Sequence, residues 1–274
     1  MDIKAFKMDG LGNDFVIIDQ RSQNYNLTKD QIIKICDRNF IGCDQLIFIQ
    51  NNNKKDAELE FYNSDGSISG ACGNGTRCVA DLLSKENNDK EIILWTSSGA
   101  LKSQILGDNL VETEIGVPKI NWNEIPLNQN LDTKNLKIKI VNKNNIEHIG
   151  GTSVNVGNPH VVFFVDNIED YDLKKIGPEI ENHKYFPEKC NVTLAQVINK
   201  KLIKVKVWER GAGLTKACGT AACATAVAAN INGLTDKTTD IEFALGRLSI
   251  SIDKNNSIHM KGPVSDIENI EINI

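Results

Sequence analysis

No long hydrophobic run occurs in this chain of 274 residues; the longest, residues 161–165, is far too short to span a bilayer. The N-terminal stretch MDIKAFKMDG carries charges within its first seven residues and lacks the apolar segment of a signal peptide. A cytoplasmic protein with no membrane partner is therefore expected. Also missing is any basic stripe or Arg-rich arm; the formal net charge is −5, thinly spread, and no nucleic-acid partner is expected. The seven cysteines (36, 43, 72, 78, 190, 218 and 223) are odd in number and include no CxxC pair, which argues against a disulfide framework in a chain of this size. Zinc fits poorly as well. On helices, Cys72 and Cys78 would lie about 240° apart and Cys218 and Cys223 about 140° apart, on different faces. The four histidines are scattered singly, and no metal is expected. What is present, 41% hydrophobic and 24% charged residues, is the composition of a globular protein with a sizeable core, in one large domain or two of ordinary size.

The chain repeats itself. Gly12-Asn13-Asp14-Phe15-Val16-Ile17-Ile18-Asp19 is answered 145 residues later by Gly157-Asn158-Pro159-His160-Val161-Val162-Phe163-Phe164-Val165-Asp166. Gly70-Ala71-Cys72-Gly73-Asn74-Gly75-Thr76 is answered at a spacing of 146 by Lys216-Ala217-Cys218-Gly219-Thr220-Ala221-Ala222. Strand-like segments before these motifs also match: Ala57-Glu58-Leu59-Glu60-Phe61-Tyr62 with Ile203-Lys204-Val205-Lys206-Val207-Trp208. After them, Ser98-Gly99-Ala100-Leu101 matches Leu245-Gly246-Arg247-Leu248. Four landmarks in one register identify a duplicated half.

Each half reads as strand, helix, strands, glycine loop, helix, strands. Residues 28–39 predict a helix, with Thr28 as cap, Gln31 completing a capping box and Leu27 stapling to Ile32. Residues 136–141, 203–208 and 248–252 alternate as strands with one buried face. Asn51-Asn52-Asn53-Lys54-Lys55, residues 142–145 and Lys254-Asn255-Asn256 carry turn chemistry. Residues 72–84 and 218–230 predict helices, the second alanine-rich enough for close packing and stopped by Gly233. Pro118 and polar residues 121–135 are the expected link. The fold class expected is α+β: two structurally similar, duplicated α/β halves related by a pseudo-twofold axis, with mixed sheets wrapped around central helices.

Each half places one cysteine at the start of a helix, directly after a glycine-rich turn and directly before Gly73 or Gly219. Unpaired N–H groups and the positive dipole end at a helix N-terminus favour anions. They lower a thiol's pKa from its ordinary value of about 8.5 and cradle a carboxylate. If a pseudo-twofold axis relates the halves, Cys72 and Cys218 would face each other across the cleft between them, with a substrate Cα in the middle. Inverting a stereocentre without redox chemistry needs a base on one face and an acid on the other, and a thiolate/thiol pair supplies both. The plainer alternative is a buried structural cysteine beside a glycine turn, which a duplication would copy equally well.

These motifs resemble the diaminopimelate epimerase family nearly end to end. The resemblance is carried by Gly10-Leu11-Gly12-Asn13-Asp14-Phe15, Gly42-Cys43-Asp44-Gln45, and Tyr62-Asn63-Ser64-Asp65-Gly66-Ser67 running into Gly70-Ala71-Cys72-Gly73-Asn74-Gly75-Thr76-Arg77. In the second half it is carried by Gly157-Asn158-Pro159-His160, Asn191-Val192, and Trp208-Glu209-Arg210-Gly211-Ala212-Gly213 running into Ala217-Cys218-Gly219-Thr220. The resemblance implies interconversion of LL- and meso-diaminopimelate without pyridoxal phosphate, metal or other cofactor, in lysine and peptidoglycan precursor synthesis. It implies Cys72 and Cys218 as acid and base, with Gly73, Asn74, Gly219 and Thr220 holding the reacting carboxylate. Asn13, Gln45, Asn63, Asn158, Asn191 and Arg210 would contact the rest of the substrate. His160 and Glu209 would handle its amino group and tune the thiols. It further implies a homodimer and a last strand that returns to the first half. The halves are then residues 1–117 with 263–274, and 118–262, with the active site in the cleft.

The residues themselves leave alternatives open. Arg210 offers a planar fork for a carboxylate, although an isolated Arg is more often a surface charge. Glu209 can also be read as the ion-pair partner of Arg210. His160, after a proline at a strand start, also suits a satisfied structural histidine. Asn beside Gly is ordinarily a turn former. The Gly211–Lys216 loop lacks the spacing of a phosphate loop. The rival enzymes on the same fold are a proline or hydroxyproline racemase, which also uses a cysteine pair, and a PhzF-type isomerase, which does not. A non-catalytic binding protein is the alternative from a different class.

Overall fold

The computed structural model describes residues 2–52, 56–70, 72–97 and 99–274. Ala71 of the first cysteine motif, Ser98 of the repeat, and Asn53, Lys54 and Lys55 of the first turn tract lie outside the described residues. The chain divides into two compact units, one of residues 1–114 with 261–274 and one of residues 115–260.

The strands of the first unit, in chain order, are β1 (Asp2–Gly10), β2 (Asn13–Asp19), β3 (Gln45–Gln50), β4 (Ala57–Asn63), β5 (Ile68–Ser69), β6 (Glu91–Thr96), β7 (Gly99–Gly107) and β8 (Leu110–Gly116). β1 runs antiparallel to β2, β2 parallel to β3, β3 antiparallel to β4, β4 parallel to β6, and β6 antiparallel to β7. The helix α1 (Lys29–Cys36) makes the β2-to-β3 crossover and α2 (Gly73–Asn87) the β4-to-β6 crossover, as parallel pairs require.

The second unit repeats this order. After the hairpin β9 (Ile138–Val141) and β10 (Glu147–Gly150) come β11 (Thr152–Asn155), β12 (Pro159–Phe164), β13 (Asn191–Asn199), β14 (Leu202–Glu209), β15 (Gly213–Thr215), β16 (Thr238–Phe243), β17 (Gly246–Ile252) and β18 (Ile258–Pro263). The pairs β11–β12, β12–β13, β13–β14, β14–β16 and β16–β17 are antiparallel, parallel, antiparallel, parallel and antiparallel, as in the first unit. Here α3 (Leu173–Glu181) and α4 (Gly219–Ile231) make the crossovers. The final strand, β19 (Glu268–Asn273), pairs antiparallel with β1. The fold is α+β with two similar halves.

The hydrophobic patterns account for the packing. α1 buries Ile32, Ile35 and Cys36 on one face of the first sheet, against Val16, Ile18, Leu46 and Phe48. On the other face lies α2, buried from Asn74 through Ser84, with Cys78, Val79, Leu82 and Leu83 against Phe15, Ile17, Ile47 and Phe61. Each such side chain taken from water contributes roughly 1.5–3 kcal/mol. Six of the 13 residues of α4 are alanine, a strong helix former that allows close approach, and ten of the 13 are buried.

Helix ends show where patterning is a poor guide. Thr28 and Gln31 form the expected capping box, but α1 stops at Cys36, because Asp37 turns extended and its carboxylate accepts the Asn39 amide at 2.8 Å. α2 runs three residues past the expected end through a polar turn with no hydrophobic signature, and closes at Asn88 in the left-handed region. Gly233, at φ +70°, closes α4 as expected, with the Leu234 amide bonded to the Ala229 carbonyl. Residues 121–135 lie in the second unit, where Ile125 and Leu127 join the core.

Close packing of α2 depends on Gly75. A Cβ there would lie 2.7 Å from Ile47 Cδ1 and 3.0 Å from Phe61 Cε1. Gly75→Ala is expected to destabilise the protein by about 1–3 kcal/mol through overpacking, despite the higher helix propensity of alanine. Chemical denaturation checks this; a variant as stable as the parent would contradict the packing.

Candidate active site

Strand register gathers the first-unit residues. Phe15 of β2 pairs with Gln45, and Gln45 pairs with Asn63, so Asn13, Gln45 and Asn63 come to one end of adjacent strands. Gln45 Nε2 donates to Asn63 Oδ1 at 2.9 Å, and Asn63 Nδ2 donates to Ser67 Oγ at 3.0 Å. Cys72 is the N-cap of α2, in extended backbone, and half-buried. Its carbonyl accepts from the Thr76 amide at 2.8 Å and the Thr76 hydroxyl at 2.9 Å. Its sulfur lies 3.7 Å from Asn13 Oδ1, which also accepts from Asn74 Nδ2 at 3.2 Å.

The second unit rebuilds this arrangement with different side chains. His160 of β12 pairs with Asn191 of β13, and Glu209 ends β14 as Asn63 ends β4. Cys218 is the N-cap of α4 in the same extended backbone, with Sγ 3.4 Å from Thr220 Oγ1. Asn158 Nδ2 lies 3.5 Å from that hydroxyl, and Asn158 Oδ1 lies 2.8 Å from His160 Nε2. Asn191 uses both ends of its amide on the chain, donating to the Pro159 carbonyl at 3.1 Å and accepting from the Arg210 amide at 2.9 Å. Arg210 is exposed and donates through Nη1 to the Glu188 carbonyl at 2.9 Å. Gly73 and Gly219 open their helices, where their amides point outward from the first turn. Neither helix carries a side-chain oxygen cap of the kind that Thr28 gives α1 and Asp172 gives α3. An incoming carboxylate can take that place.

All seven cysteines are outside disulfides. Among the described residues no cluster of three or more His, Cys, Asp or Glu is arranged to hold a metal, and no helix is long and apolar enough to cross a membrane.

The model of the family described as diaminopimelate epimerase matches residues 5–121 and 152–267. A diaminopimelate epimerase from Pelagibacter ubique (strain HTCC1062) is 77% identical over 274 residues, covering all of both chains. The chain belongs to the diaminopimelate epimerase family. Solved structures at low identity share its fold: a PhzF-family phenazine biosynthesis protein from Bacillus anthracis (15% identity, TM-score 0.70, all of both chains) is one. A hydroxyproline epimerase from Agrobacterium vitis (12% identity, TM-score 0.64, 98% of this chain and 91% of the other) is another. The fold is thus common to several enzymes, and the side chains set the diaminopimelate epimerase family apart.

The electrostatics correct one expectation. Cys218 is only 6% exposed, and burial first, then the Glu209 carboxylate, push its thiol well up; the Thr220 hydroxyl and the Ala221 amide act the other way and lose. A helix N-terminus alone does not yield a low-pKa thiol when the sulfur is desolvated beside an anion. His160 is fully buried, and burial, helped by Arg210, pushes it down to about 3. It is therefore neutral; its Nε2 lies 2.8 Å from Asn158 Oδ1 and 3.4 Å from Asn191 Nδ2, and among the described residues its buried Nδ1 meets no hydrogen-bond partner.

Two residues with a place in the network were read only as parts of motifs. Asp44 accepts from Asn13 Nδ2 at 2.9 Å, and Arg77, fully buried, donates to Asn74 Oδ1 at 3.0 Å. A charged side chain at the fifth position of an otherwise core-facing helix was the available signal for Arg77.

Because the folded pKa of His160 lies below its unfolded value of about 6.5, the unfolded chain binds more protons between the two. This contribution to stability is full above pH 6.5 and is lost as pH falls toward 3. The imidazole nitrogens in an NMR titration should show neutral His160 from pH 8 to 5; a midpoint near 6.5 would refute the assignment.

Proposed function

We propose that the chain interconverts LL- and meso-diaminopimelate, with Cys72 and Cys218 as the acid–base pair on opposite faces of the reacting carbon. The observation that carries the reading is one cysteine at the mouth of each duplicated helix, in the same backbone conformation and without an oxygen cap. The 77% identical diaminopimelate epimerase supports the substrate. The reaction serves lysine and peptidoglycan precursor synthesis, in the cytoplasm, in a homodimer, and needs neither pyridoxal phosphate nor metal.

The substrate carboxylate lies on the amides of Gly73, Asn74, Gly219 and Thr220, where the helix dipoles oppose its charge and stabilise the carbanion as negative charge spreads from Cα. One sulfur removes the α-proton as the other delivers a proton from the far side; the C–H electron pair stays on the carbon and is captured there. The roles exchange in the reverse direction. Glu209, hydrogen-bonded to the Cys218 thiol, takes the thiol proton when Cys218 must act as base. Its repulsion then vanishes, leaving the Thr220 and Ala221 donors to stabilise the thiolate. Asn13, Gln45, Asn63, Asn158, Asn191 and Arg210 hold the far amino-acid end, Arg210 by its fork on the distal carboxylate. His160 keeps Asn158 oriented.

Cys72→Ser and Cys218→Ser are each expected to lower epimerisation of LL-diaminopimelate about 10³-fold with the fold intact, since a serine hydroxyl is too weak an acid and base. Near-normal turnover by either variant would refute the pairing. Proline added in place of diaminopimelate should give no α-proton exchange; exchange into proline alone would favour a proline racemase.

A further inference from the structure

The two cysteine networks end in different ways. In the first half the run of side chains is bounded by two charged groups of fixed hydrogen-bonding sense. Arg77 can only donate, and its Nη2 donates to Asn74 Oδ1 at 3.0 Å. Asn74 must then turn Nδ2 toward Asn13, which accepts through Oδ1 at 3.2 Å. At the other end Asp44 can only accept, and its Oδ2 takes Asn13 Nδ2 at 2.9 Å. Both ends demand the same amide orientation for Asn13. The oxygen that results is the atom 3.7 Å from Cys72 Sγ. Asp44 is itself fixed, since Arg38 Nη2 donates to its Oδ1 at 2.6 Å.

The second half is built differently. Cys223 occupies the fifth position of α4, as Arg77 does in α2, and the run there ends on neutral His160. The Thr220 hydroxyl faces Cys218 and can turn its proton to the sulfur.

We propose that Arg77 and Asp44 are positioning residues that, through Asn74 and Asn13, hold a carbonyl oxygen against the Cys72 sulfur and so favour its thiol form. The inference rests on Cys72 being one of the reacting thiols. It keeps the first-half cysteine protonated in the substrate-free enzyme by hydrogen-bond sense rather than by net charge, because an acceptor suits S–H and opposes S⁻. Neither residue touches the reacting atoms.

Asp44→Asn tests this with little risk to the fold, because the Asp44 side chain is 44% exposed. Arg38 retains the carbonyl oxygen of the new amide, so its NH2 replaces Oδ2 and meets Asn13 Nδ2 at 2.9 Å and the Asp14 amide at 3.3 Å. Donors then converge, and Asn13 is driven to turn its own NH2 toward Cys72. Alkylation of the full-length enzyme by iodoacetamide at one neutral pH, followed peptide by peptide with mass spectrometry, reads Cys72 and Cys218 separately. The expected result is Cys72 alkylation about fivefold faster than in the parent, with Cys218 unchanged within twofold. Arg77→Lys, which keeps the charge and loses the fork, should shift Cys72 the same way; if it does not fold, Asp44→Asn decides alone. An unchanged or slower Cys72 rate in Asp44→Asn, or equal changes at both cysteines, overturns the proposal. Epimerase activity of the parent is assayed in parallel, so loss of the functional reading would appear there and not in the alkylation ratio.

Discussion

Much of the proposed chemistry depends on two helix first turns that the chain itself leaves without an oxygen cap. α1 and α3 each close with a side-chain oxygen, from Thr28 and Asp172, whereas α2 and α4 begin at a cysteine. Leaving first-turn amides open costs stability of about 1 kcal/mol per helix, the usual value of a cap. The cost is offset by deep burial of both helices, which lets the N-termini be held in place without capping. Gly75 belongs to the same arrangement, because any larger residue would lift α2 from Phe15, Ile47 and Phe61 and move the cysteine at its start.

Duplication explains why there are two such turns, and divergence explains why they are not equivalent. The strand pairing and the extended backbone at the cysteines match between units, yet the polar side chains around them differ. Asn63 ends β4 where Glu209 ends β14, and Asn74 holds the helical position of Thr220. One half presents amides locked between Arg77 and Asp44. The other presents a hydroxyl, a neutral histidine and a carboxylate. A reaction that must run both ways needs two groups able to exchange roles, and it does not need identical surroundings for them.

The repeat, the α+β class and the family were all legible in the sequence, because glycine turns and alternating strands carry strong local signals. Gly233 and the capping box at Thr28 were legible for the same reason. The polar end of α2 was not, since Ser84, Lys85, Glu86 and Asn87 leave no hydrophobic period to count. α3 has Pro178 within it, an unfavourable residue tolerated because Ile176 and Ile180 reach the core. At the site, the positions of Cys72 and Cys218 could be read, but not their surroundings. The elevated thiol of Cys218 arises from its burial in the folded chain and from the Glu209 carboxylate, neither of which local patterning shows. The link from Arg77 through Asn74 and Asn13 to Asp44 exists only once β2, β3 and α2 are folded together.

The most direct test of the two-thiol account is the isotope pattern at early conversion of LL-diaminopimelate in deuterated water. If opposed sulfurs remove and return protons from different faces, the meso product carries one deuteron at the inverted carbon while recovered LL substrate carries almost none. Equal deuterium in both pools, as one base working on both faces would give, would contradict it.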